Sequence, residues 1–255
     1  MNVLLIGHAA VSNAFRALVD DGGPEFPRSM DRQVIALTSI RTCYSPLKPT
    51  EILDAEGAKY FGQTASDNEG GTEADRLFRH ITRSGHTSTL EHLTYTFAIE
   101  GVSRALLAQL TRHRHLSFSV QSQRYVRFGS ADKSGGFGYV TPASVENAVN
   151  TGDVFVEGST AADFYHAFMR DVQEAYDALR AAGVPAEDAR MVLPQAATCN
   201  LVMTGNLRTL LDFYAKRRPG NGSQAEIAEL SERIRAEIVA VDPWLEPYFN
   251  VKEAK

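Results

Sequence analysis

Leu93-Thr94-Tyr95-Thr96-Phe97-Ala98-Ile99-Glu100 runs directly into Gly101-Val102-Ser103-Arg104-Ala105-Leu106-Leu107-Ala108-Gln109-Leu110-Thr111-Arg112-His113-Arg114. In the first half, large apolar residues alternate with Thr, Ala and Glu, the period-two pattern of a strand with one buried face. In the second, Val102, Leu106, Leu110 and His113 recur at helical spacing, so a short helix follows and delivers Arg112 and Arg114 at its end. Outward from this pair, Leu201 to Thr204 resembles another strand. Asn206 then stands where a cap would open a helix with apolar face Leu207, Leu210, Leu211 and Tyr214. Ser223-Gln224-Ala225-Glu226 reads as a capping box before a last helix carrying Ile227, Leu230, Ile234 and Val241. Phe164, Phe168, Val172, Ala175 and Leu179 mark a longer amphipathic helix, with Ser159 as its cap and Gly183 and Pro185 as its stop. Val3-Leu4-Leu5-Ile6 reads as a buried strand. The mixture predicts an α+β fold over residues 1–255, a single domain with a central, mostly antiparallel sheet flanked by helices. Residues 63–73 and 129–138, rich in Gly and polar residues, read as mobile loops suited to closing over a substrate.

Charge points to the chemistry. From Gly101 to Ala131 the chain carries five arginines, Arg104, Arg112, Arg114, Arg124 and Arg127, and no Asp or Glu, although the whole chain has net charge −5. A positive island in an acidic protein indicates one bound anion, and arginine grips phosphate or carboxylate with paired hydrogen bonds. The interleaved Ser, Gln and Tyr suit a base or sugar, so the stretch reads as a nucleotide pocket. A nucleic-acid module stacking bases on Phe118, Tyr125 and Phe128 is the competing reading, and the acidic remainder counts against it. A phosphate-binding regulatory protein without turnover is the third. No apolar run is long enough for a membrane span, and a cytoplasmic enzyme is the default. Two cysteines, Cys43 and Cys199, have no paired spacing, and His113 and His115 lack further ligands, so no metal site is expected. A P-loop, a Gly-x-Gly-x-x-Gly turn, a Gly-x-Ser-x-Gly elbow and a His-Glu-x-x-His helix are all absent. A second polar cluster, Ser84 to His92, offers His86, Ser88 and Glu91 to a shared pocket. Arg208 and Asp212, four apart on one helix, read as a surface ion pair.

Arg112-His113-Arg114, seven residues, Ser122 and then Gln123-Arg124-Tyr125 resembles the signature of the flavin-dependent thymidylate synthases. Similar landmarks follow in the family's order: Arg41-Thr42-Cys43-Tyr44-Ser45, Gly85-His86 through Glu91-His92, Ala189-Arg190 through Pro194, Thr204-Gly205-Asn206-Leu207-Arg208 and Ser223 to Ile227. The resemblance implies a homotetramer in which FAD, dUMP and folate meet at subunit contacts. NADPH would reduce the flavin, and methylenetetrahydrofolate would supply the carbon that turns dUMP into dTMP. It implies Ser88, Glu91, Arg112, His113, Arg114, Val120, Asn206, Arg208 and Asp212 as FAD contacts, with His86 near flavin and folate. It places dUMP against Gln109, Arg112, Ser122, Gln123, Arg124, Arg190 and Arg217, with Arg217 facing the uracil and Ser122 a binding hydroxyl. Val120 stands where Glu or Gln is more frequent, and Asp212 where Asn or His is. Counting forward from Asn206 selects Arg217 as the uracil-facing arginine; counting back from Gln224 selects Arg218. The forward count assigns the role to Arg217.

Overall fold

A computed structural model describes residues 1–20, 26–148 and 159–249. The chain opens with β1 (Asn2–His8) and α1 (Asn13–Asp20), followed by α2 (Asp31–Thr42), α3 (Ile52–Gly62) and α4 (Glu73–Ser84). Next come β2 (Thr94–Ser103), α5 (Arg104–Leu110) and β3 (Ser117–Val120). Then follow α6 (Ala143–Glu146), α7 (Ala161–Ala181), α8 (Ala186–Ala189), β4 (Thr198–Asn206), α9 (Leu207–Arg217) and α10 (Ala225–Val241). The strands form one antiparallel sheet in the order β1-β2-β4-β3, with helices packed on it: an α+β fold.

The alternation in β2 does what its period requires. Tyr95, Phe97 and Ile99 lie wholly buried, as does Met203 of β4, on the sheet face that α9 and α10 cover. β2 also runs further than the helical spacing of Val102 predicts. Gly101, at φ +67°, lets the ladder shift register between Ile99 and Val102, and Val102 and Ser103 then resume pairing with Cys199 and Thr198. The helix therefore starts only at Arg104, capped by Ser103 Oγ accepting from Leu106 N at 2.9 Å.

Several local expectations are corrected. β1 is an edge strand and not a buried one, with Leu4 54% and Ile6 52% exposed, because among the described residues only β2 flanks it. Glu226 does not close a capping box. Its carboxylate reaches across to Ser103, accepting from the backbone N at 2.8 Å and from Oγ at 2.6 Å, so α10 starts without a side-chain cap. For α7 the cap is Thr160, in a reciprocal box with Asp163, and not Ser159. Its buried face is Met169, Val172 and Tyr176, while Phe164 and Phe168 are exposed. Ser117 to Val120, read for its ligand chemistry, is also an edge strand.

Both stretches that read as loose loops are stitched to helices. Thr64 bridges Thr72, and Asp67 holds Arg79 of α4 through two hydrogen bonds at 3.0 and 2.8 Å. Gln173 of α7 donates to Phe128 O and accepts from Phe137 N, both at 2.9 Å.

Gly205 is a point of close approach. A Cβ there would lie 2.5 Å from Leu116 Cδ2 and 3.2 Å from Leu210, both in the core. Gly205→Ala is expected to destabilise the fold by about 1–3 kcal/mol through overpacking. Thermal melting checks this, and an unchanged midpoint would mean that Leu116 moves aside freely.

Candidate active site

The basic triplet occupies the turn between α5 and β3. Thr111 N and His113 N close on the carbonyls of Leu107 and Leu110, and Leu116 N returns to His113 O at 3.2 Å. This leaves Arg112 and Arg114 exposed, with His113 half-buried between them. The His113 ring meets Phe213 of α9 edge-on, centroids 5.0 Å apart, and Arg217 Nε donates to His113 Nε2 at 3.1 Å. A guanidinium only donates, so Nε2 is the unprotonated nitrogen and the imidazole is neutral. Burial first, then the charges of Arg217 and Lys216, push the His113 imidazole below its ordinary value, which keeps it so.

Two polar cavities flank this region. The first, of about 530 Å³, has Arg104 and Thr111 along one wall and Gln123, Arg190 and Gln195 along others. The second, of about 500 Å³, is lined by Glu91, His115, Asn206, Arg208, Thr209, Asp212 and Lys216. Here Asn206 caps α9, its Oδ1 accepting from Thr209 N at 2.9 Å. Arg208 and Asp212 do not pair with each other as their spacing predicts. Arg208 takes Glu91 at 2.6 Å and Lys216 takes Asp212 at 2.7 Å, because the 3-10 helix Thr87–His92 packs on α9 and brings Glu91 within reach.

The remaining candidates fall in several places. Gln123 is buried, and Ser122 Oγ accepts from Arg124 N at 3.2 Å, turning the chain so that Arg124 faces outward. Arg124 Nε reaches Glu187 at 2.5 Å, and the carbonyl of the same Glu187 accepts from Arg190 Nε at 2.9 Å. Gln109 donates to Gln224 at 2.8 Å. His86 follows Gly85, whose φ of +77° ends α4, and its Nδ1 meets Tyr44 Oη at 2.6 Å. Ser88 is exposed on the 3-10 helix and is not among the residues lining either cavity, while Val120 pairs with Leu201 and packs against the core. Among the described residues, Arg124 is the only arginine of the basic island with an ion-pair partner. The others keep their charge available for an anion.

Residues 28–244 match the family model described as "Thymidylate synthase complementing protein". A flavin-dependent thymidylate synthase of Halobacterium salinarum is 38% identical over 213 residues, covering 80% of this chain and 83% of that protein. The chain belongs to the flavin-dependent thymidylate synthase family. A relative of the same name from Clostridium tetani is 30% identical over 84% of this chain and 80% of its own length. Among solved structures, the flavin-dependent thymidylate synthase from Helicobacter pylori complexed with FAD and dUMP covers 98% of both chains, with TM-score 0.61 and 21% identity. A UMP/dUMP methylase, PolB, from Streptomyces cacaoi bound with 5-Br dUMP covers 97% of this chain and 94% of its own, with TM-score 0.66 and 23% identity. At those identities the two structures establish the fold.

In this family member, the sequence alone does not single out several residues that line the cavities or contact their candidates. Arg104 was visible within the basic island, yet its place on the first cavity wall follows from where α5 starts. Tyr44 lay inside the Arg41 to Ser45 landmark. Glu187 and Thr209 carried no local signal, because each takes its meaning from a partner or a helix face, while His115 and Lys216 stood in legible basic runs without a role of their own.

Proposed function

We propose that this chain makes dTMP from dUMP, with FAD in the second cavity, dUMP in the first, methylenetetrahydrofolate as carbon donor and NADPH as reductant. The reading rests on the hydrogen bond from Arg217 to His113, because it sets a cation from the end of α9 against the triplet from the end of α5. It also favours Arg217 over Arg218, whose Nε is buried and has no hydrogen-bond partner among the described residues. The second cavity fits a flavin dinucleotide by the chemistry of its donors. Arg208, which uses Nη1 on Glu91, offers its other nitrogens to a diphosphate, and Asn206, Thr209 and His115 offer hydrogen bonds to ribose and base. Held by these residues, FAD would supply the hydride, drawn from NADPH, that brings the one-carbon unit to the methyl level.

The protein's own groups bind and orient. Arg104 and Arg190, neither ion-paired among the described residues, provide guanidinium groups for the dUMP phosphate, with Gln123 lining the same cavity. Glu187 steers two arginines at once, Arg124 through its carboxylate and Arg190 through its carbonyl. Arg217 faces the uracil, where a fixed cation stabilises negative charge developing on the ring better than reorganising water does. Tyr44 and His86 hold each other on the folate side. Arg112 and Arg114 complete the flavin contacts and Gln109 and Ser122 those to dUMP, while Ser88 and Val120, outside both cavities, would meet flavin only where copies of the chain meet. The residues act as one domain, a reading supported by a main core that takes residues from β1 through Phe249, beside a smaller cluster of Phe128, Tyr176 and Ala189. Four copies assemble with sites at their contacts, and the enzyme works in the cytoplasm.

The purified protein is expected to take up FAD, bleach with NADPH, and release dTMP only when dUMP and methylenetetrahydrofolate are both present. A colourless protein that ignores added FAD would end this reading. Arg104→Ala is expected to raise the KM for dUMP roughly 10- to 100-fold, the loss of one charge-assisted contact of about 1.5–3 kcal/mol. An unchanged KM would remove Arg104 from the phosphate site.

A further inference from the structure

The cofactor cavity contains an electrostatic problem. Two carboxylates, Glu91 and Asp212, line a space read above as holding the diphosphate of FAD. Each carboxylate facing a phosphate repels it, and the repulsion grows where water is thinned out by protein and ligand. Glu91 is answered by Arg208 at 2.6 Å. Asp212 has its own partner, Lys216 at 2.7 Å, one turn further along α9. Arg208, Asp212 and Lys216 stand four residues apart in succession, on the stripe of α9 opposite the buried Leu207, Leu210 and Phe213. The helix thus presents plus, minus, plus along the cavity wall, with Glu91 beside the first.

We infer that Lys216 is a cofactor-site residue of this chain, whose task is to cancel the Asp212 carboxylate so that the cavity accepts the diphosphate of FAD. Both residues line the same cavity, which separates this pair from the other i,i+4 ion pair among the described residues, Arg233 with Glu229, which lines neither of the two polar cavities. The influence of Lys216 also extends to the triplet, since its charge helps keep the His113 imidazole neutral. An ordinary solvated Lys–Asp pair at this spacing contributes little to anything. The compensating role, by contrast, requires that the two residues be coupled through ligand affinity. It rests on FAD being the occupant of this cavity.

The test is a titration of flavin-free protein with FAD, followed by flavin fluorescence at low and moderate salt, with no turnover required. Lys216→Ala is expected to weaken FAD binding about tenfold or more at low salt, and less as salt screens the exposed Asp212. Lys216→Arg keeps the charge and keeps the affinity. In the double variant Lys216→Ala with Asp212→Asn, affinity returns to within about threefold of the parent, because the repulsive charge is gone along with its partner. Unchanged affinity in Lys216→Ala, or a double variant as weak as the single one, overturns the inference. If the parent protein itself takes up no FAD, the assignment of the cavity fails instead, and the two failures are told apart by that control. Thermal melting of each variant shows that α9 is intact.

Discussion

Replacing Arg217 with alanine is expected to lower dTMP formation by roughly 100- to 1,000-fold, the range seen when one preorganised donor is removed from a site of developing charge. FAD uptake should persist, because the residues lining the cavity proposed for FAD are untouched. The geometry explains why a single side chain matters so much. Arg217 lies in the last turn of α9 and is steadied by His113 Nε2 at 3.1 Å, while the His113 ring is itself seated on Phe213. Its guanidinium is therefore oriented before substrate arrives and pays no reorganisation cost in the reaction. Arg217→Lys should recover little, since an ammonium lacks the planar fork and cannot reach His113 and substrate together. The measurement is single-turnover dTMP yield beside a flavin absorption spectrum. Near-normal turnover in Arg217→Ala, with a large loss in Arg218→Ala, would transfer the role to Arg218.

Removing the Asp242 carboxylate is expected to destabilise the fold by about 3–5 kcal/mol, the cost of leaving a buried charge without its partner. Asp242 is 1% exposed and Arg32 3% exposed. One oxygen of Asp242 accepts from Arg32 Nε at 2.5 Å and from Tyr95 Oη at 2.8 Å, and the other from Trp244 Nε1 at 3.1 Å. Burial and then the Asp242 charge push the Tyr95 phenol far up, so it remains a donor at any working pH. A residue just past α10 thus ties α2, the central strand and Trp244 together. In Asp242→Ala, Arg32 keeps its bond to Val241 O at 3.2 Å and loses its counter-charge. Replacing both Arg32 and Asp242 by leucine should recover part of the loss, because no charge is then left in the core. Urea unfolding measures both, and a loss below about 1 kcal/mol for Asp242→Ala would mean the pair is not what holds these elements.

How far the sequence is legible depends on how local each property is. β2, β4, α9 and α10 were visible because a half-buried strand or helix must repeat its apolar residues at its own period. The Asn206 cap was visible for a similar reason, since its bond spans only three residues. β3 was not visible: four residues, two of them serine, carry too short an alternation, and their polarity invited a reading as ligand groups alone. The edge position of β1 was hidden as well. An apolar run looks the same in a central strand and at a sheet edge, and only pairing decides between them.

By itself, the sequence determined the α+β class, the basic island and the family to which it belongs, because periodicity and side-chain chemistry are properties of neighbouring residues. Tertiary structure alone decided which charges meet. Arg208 pairs with Glu91 across 117 positions and not with Asp212 four residues away, and Glu226 leaves its own helix start to hold Ser103. Those choices follow from how helices pack on a sheet, and packing brings together residues whose separation along the chain carries no record of the contact.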